Sequence, residues 1–93
     1  MNTHESLRYV SVREVEADLG TDDVTVETTH GDELGLLDGF LVDSGLHSLR
    51  YFVIRQLSAT SQTLARVPFV PARLDSRHGV LHLLADAHAQ ALS

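Results

Sequence analysis

The chain has 93 residues, 43% of them hydrophobic and 22% charged, with a formal net charge of −6 and no cysteine. That is the composition of one ordinary globular domain, residues 1–93, able to hide roughly 60–65% of its unfolded surface; no apolar run approaches the ~20 residues of a membrane-spanning helix, and disulfides and thiolate metal sites are excluded. The first residues lack the basic-then-apolar pattern of a secretion signal, so the default expectation is a cytoplasmic protein that does not insert into membranes.

In chain order, the first six residues read as a frayed tail. Ser11 and Glu14 match the S-x-x-E capping box, and Val12, Val15 and Leu19 then fall on one face of a short helix ending at Gly20. The competing reading is a strand over Leu7 to Val12 with Tyr9 facing inward. Val24 to Thr29 has the β-branched alternation of a half-buried strand, Val24 and Val26 inward, and His30 to Glu33 turns the chain with Gly31 and Gly35 at the reversal.

Two apolar runs then dominate, Leu34 to Asp43 and Leu49 to Arg55, separated by the polar spacer Ser44 to Ser48. They predict a β-hairpin, the organising unit of the fold. Gly39 leaves a gap in the side-chain row that predicts a bulge, and Asp43 is placed to close the hairpin by accepting bonds from loop amides. On the second strand, alternation sets Leu49, Tyr51 and Val53 on one face and Phe52 and Ile54 on the other, as in a strand covered on both sides. Gln56 to Thr63 reads as a polar loop, Leu64 to Val67 as a strand ended by Pro68, and Ala72 to Leu74 as extended chain after Pro71. Asp75 to Gly79 is a turn leading to a last strand, Val80 to Leu84. Ala85 to Leu92 has helix-forming composition but is shorter than the ~12 residues an isolated helix needs, so a short C-terminal helix is expected only if docked.

The order of these pieces resembles the PRC-barrel family: Gly31 to Gly35, then Asp38 to Asp43, the Tyr51-containing strand Leu49 to Ile54, Leu64 to Pro68 with its Val-Pro, and the Leu74-Asp75 turn. The likeness covers about residues 24–86. One departure is Gly39, where many relatives carry an acid; here the acid is its neighbour Asp38. The resemblance implies a mainly β protein, a small, partly open antiparallel β-barrel of meander type, and a free-standing prokaryotic module whose business is protein–protein contact. Gly31, Gly35, Gly39, Asp43, Pro68 and Gly79 are the expected turn and bulge residues.

The charges are unevenly spread, with eleven carboxylates against two arginines in residues 1–43 and two carboxylates against five arginines in residues 44–93. Such polarity suits self-pairing or a charged partner, unless strand pairing mixes the halves in space. Six histidines raise a metal question, but on one strand His78 and His82 stand roughly 13 Å apart unless the turn at Gly79 folds them together. Asp38 and Asp43 point to opposite faces of a regular strand and have no nucleophile beside them. No catalytic residue, cofactor or metal site is therefore expected. Arg50, Phe52, Arg66 and Arg73, with Arg55 and Tyr51, form a candidate interaction surface; an RNA strand is a poor match to a negatively charged chain without lysine. The expectation is a non-catalytic interaction or assembly module, a homodimer whose other protein partner is not specified, with a ligand- or RNA-binding barrel as the alternative.

Overall fold

A computed structural model describes residues 6–12, 23–57 and 62–92. Its elements are strands: β1 (Leu7–Ser11), β2 (Thr25–Glu27), β3 (Glu33–Asp43), β4 (Ser48–Leu57), β5 (Gln62–Pro68), β6 (Ala72–Asp75), β7 (Val80–Leu83) and β8 (Gln90–Ala91). They form one sheet in the order β6-β7-β2-β3-β4-β5-β8. β3 is its spine. One edge of β3 pairs along its length with β4; the other is shared, Glu33 to Leu36 with β2 and Gly39 to Asp43 with β1. β6 and β8 end the path without pairing to each other, so the sheet is not closed.

Bulges curl it. Asp38 is the extra residue between Leu37 and Gly39 against β4, and Leu34 is extra against β2, its carbonyl taken by Gln56 Nε2 at 3.3 Å. A third bulge, at Arg50, corrects the alternation read from sequence: it returns Leu49 to the face of Phe52 and Ile54, where Leu49 packs on the core, and leaves Tyr51 and Val53 on the reverse. Each bulge strengthens the local twist, and the sheet wraps an apolar interior built from β2 (Val26), β3 (Leu37), β4 (Phe52, Ile54), β5 (Ala65, Val67) and β7 (Leu81, Leu83), with Val24. Val26, Ile54, Val67 and Leu83 are wholly buried. Each such side chain contributes about 1.5–3 kcal/mol relative to exposure.

Several expectations change. Leu7–Ser11 is a strand, with Tyr9 47% exposed rather than inward; apart from Ser11 and Val12, the expected helix to Gly20 lies outside the described residues. The β2–β7 pairing is parallel, Thr25 with Val80 through Glu27 with His82, so the sheet is not purely antiparallel. Hairpin turns impose antiparallel order only on consecutive strands, and four strands intervene here. β4 and β5 pair as far as Leu57 and Gln62, so Gln56, Leu57, Gln62 and Thr63 are strand rather than loop; residues 58–61 lie outside the described residues. Nor do residues 85–92 form a helix. Eight residues cannot offset helix nucleation, whereas the open edge of β5 offers bonding groups: Ala91 and Gln90 pair with Ala65 and Arg66, and Leu92 N donates to Leu64 O at 3.3 Å. Thr29 Oγ1, donating to Asp86 Oδ1 at 3.0 Å, ties the start of this segment down.

Candidate functional site

Where the β6–β7 hairpin joins β2, the backface of the sheet opens into a groove of about 820 Å³ lined by Glu27, Arg73, Asp75, His78 and His82, with Ser76 and Arg77 at the turn. Register builds it. The parallel rung sets Glu27 beside His82, and the antiparallel rung sets Arg73 on the other side of the same histidine. His82 Nδ1 lies 3.5 Å from Glu27 Oε1, both side chains about one-third exposed.

Asp75 organises the turn. Its Oδ1 accepts the N–H groups of Arg77 at 3.1 Å and His78 at 3.3 Å, while Oδ2 meets His78 Nδ1 at 2.7 Å. The His78 side-chain bond, with smaller help from the turn amides, holds the Asp75 carboxyl below the usual range. Gly79 completes the turn at φ +65°, a left-handed conformation where a Cβ would also sit 2.8 Å from the Asp23 carbonyl; its own carbonyl accepts Thr25 N at 2.8 Å. The turn is thereby locked to the start of β2.

Chemically, the groove holds two histidine–carboxylate pairs and two arginines. Among the described residues no group of three histidine or carboxylate side chains is placed to hold a metal ion.

The residues singled out from sequence are scattered. Asp43 Oδ1 accepts Gly45 N at 2.9 Å and Leu46 N at 3.1 Å, closing the β3–β4 hairpin, and the positive φ of that loop (54°) is carried by His47 rather than Gly45. Gly31 (φ 86°) lies in the turn before β3, and Gly35 (φ 155°) on β3 beside the Arg55 carbonyl. At Gly39 a Cβ would strike the Val10 carbonyl and stand 2.7 Å from the Tyr9 ring, so only glycine lets β1 close on β3. The Tyr9 hydroxyl then reaches Asp38 Oδ2 at 2.5 Å, and Pro68 ends β5 opposite Tyr51.

The candidate surface of Arg50, Phe52, Arg66 and Arg73 does not assemble. Phe52 is 3% exposed, packed with Phe40 and Phe69 at ring separations of 6.2 and 5.5 Å. Its neighbours on both sides of the strand made it look equally able to face out. Arg66 stacks over the Tyr51 ring at 4.5 Å and its Nε donates to Gln90 Oε1 at 3.2 Å, whereas Arg73 stands on β6 at the far end of the strand path. Arg55 Nε is buried without a hydrogen-bond partner.

Glu27 carried no signal in the sequence. Its place in the groove follows from a parallel contact between distant segments that no local pattern announces. No helix among the described residues is long and apolar enough to cross a membrane. No family model matches the chain, and no curated protein or solved structure matches it either.

Proposed function

We propose that this chain is a non-catalytic protein-interaction and assembly module of PRC-barrel type that associates with a second copy of itself. The observation that carries this reading is a filled interior inside an open sheet. Val26, Ile54, Val67 and Leu83 leave no accessible surface at the centre, while Tyr9, Leu64, Phe69, Leu74 and Leu84 are 42–54% exposed outside. Apolar side chains outside a packed core, beside unpaired strand edges, suit docking better than enclosure of a small molecule. The Asp38 carboxylate is engaged by Tyr9 and that of Asp43 by loop amides, which gives both a structural use.

Light scattering over a concentration series tests the reading. The apparent mass should double as concentration rises into the high micromolar range; a monomer throughout overturns self-association. A second reading, an anionic ligand or RNA strand on the groove, is favoured only by Arg73 and Arg77 at its rim. Filter binding to mixed single-stranded RNA at low salt removes the RNA arm if nothing is retained.

A further inference from the structure

We infer that the outward edge of β6 is the seam at which two copies join, antiparallel and two-fold symmetric about Leu74. The inference rests on the self-association proposed above and names its surface.

β6 ends the strand path, and among the described residues its one strand neighbour is β7. The bond from Leu84 N to Pro71 O, 2.8 Å, fixes the phase of the β6–β7 ladder. In an antiparallel pair the bonded rungs alternate, so Arg73 and Asp75 bond inward to His82 and Val80, and the N–H and C=O groups of Ala72 and Leu74 point away from the sheet. Proline often blunts an edge, but the donor that Pro71 lacks belongs to the β7 side. The outward donors remain. β8, at the other end of the path, is two residues long and offers much less.

The sequence of β6 is self-complementary in this arrangement. Placing Leu74 opposite Leu74 of a second copy makes a bonded rung from two outward amides and two outward carbonyls. The flanking rungs then set Arg73 opposite Asp75 of the second copy, and Asp75 opposite its Arg73, so each copy gives and receives the same pair. Any shift of register by one rung on either side brings unlike residues together and loses at least one of those pairs. Arg73 is exposed and forms no ion pair among the described residues, and the Asp75 side chain keeps 50% of its surface open despite its bond to His78. Leu74, 42% exposed, shares a rung with the buried core residue Leu81, so pairing Leu74 with its copy carries the apolar face across the seam. Because β6 has four residues, the seam falls short of the ~1,600 Å² of a standard stable interface, and the dimer belongs to the weak, concentration-dependent class.

The test uses the full chain and light scattering at a concentration where the wild type is dimeric. Arg73→Asp sets acid against acid in both flanking rungs, and Asp75→Arg sets arginine against arginine; each alone should raise the dimer dissociation constant by at least about tenfold. An equimolar mixture of the two variants restores both attractive pairs and should recover the dimer. Leu74→Pro removes the outward amide while sparing every bond to β7, so it should abolish dimerisation with circular dichroism and the thermal midpoint close to wild type. Should Asp75→Arg not fold, Arg73→Asp and Leu74→Pro decide the matter between them. A wild-type dimer that survives both substitutions overturns this seam while leaving the module reading in place. A wild-type monomer overturns both the seam and the self-association on which it rests.

Discussion

The β3–β4–β5 meander and the β6–β7 ribbon are both antiparallel, yet they are held in the molecule by different means. The meander has strands of 11, 10 and 7 residues joined in sequence order, bent by bulges at Asp38 and Arg50, and buried on both sides of β4 through Ile54 and Val53. The ribbon has two strands of four residues. It reaches the rest through three parallel rungs to β2, the Thr25–Gly79 backbone bond, the core residues Leu81 and Leu83, and the partly exposed Glu27–His82 pair. A meander of neighbouring strands closes by short loops, whereas a parallel rung between β2 and β7 forms only after the intervening chain has folded back. The meander is thus held by contacts between chain neighbours, whereas the ribbon, itself a local hairpin, is joined to the rest by contacts between distant segments, and the groove and the proposed seam both belong to the ribbon.

The strongest way to break the comparison is at the centre of the meander. Ile54→Ala, at a wholly buried position, should lower the unfolding free energy by about 3 kcal/mol and loosen ribbon and meander together, because both pack on that side chain's cluster; chemical denaturation gives the value and amide exchange its extent. Next comes Gly39→Ala. The added methyl meets the Val10 carbonyl and the Tyr9 ring, so a loss of about 2 kcal/mol is expected, with fast exchange confined to β1 and the facing half of β3. Breaking only the ribbon's polar tie should cost far less. Glu27→Gln removes the charge facing His82 at a partly exposed position, and a change of about 0.5 kcal/mol is expected, with faster exchange at Val80 to Leu83 and none in β4. Loss of protection in β4 as well would mean that the two regions unfold as one.

The smallest effect near neutral pH is that of Asp75→Asn, which keeps an oxygen acceptor for the turn amides but loses the charge facing His78. Asp75 titrates below its ordinary value of 3.8 in the folded protein, so on acidification the unfolded chain takes up that proton first. The carboxylate's stabilisation is therefore present above that ordinary value and disappears as pH falls through the lower folded one. Urea unfolding measured at stepped acid pH should give a shallower decline for the variant than for the wild type.

What could be read beforehand follows the same division. The hairpin of β3 and β4, the inward Val24 and Val26, the bulge beside Gly39 and the turn from Asp75 to Gly79 all depend on interactions within a few residues or on side-chain period, and their chemistry is written locally. Leu49 alone changes face, because one unannounced bulge at Arg50 shifts the alternation between it and Tyr51, while Phe52 keeps its face with Ile54 and is buried because that face is the inner one. The C-terminal segment has helix-forming composition, but alanine content says nothing about whether a neighbouring strand has an open edge. Glu27 and His82 meet through a parallel register that has no hairpin to specify it.

From its own letters, then, this polypeptide determined where the strands of its middle lie, from β2 to β5, and that β3 turns back on β4, because backbone propensity, turn chemistry and alternation act over short stretches. Only the tertiary structure decided which side of a bulged strand is inside, what direction distant strands take beside each other, and which edge is left open. Those outcomes arise from competition among all the unsatisfied backbone groups and apolar surfaces of the folded chain at once, and no local window contains that competition.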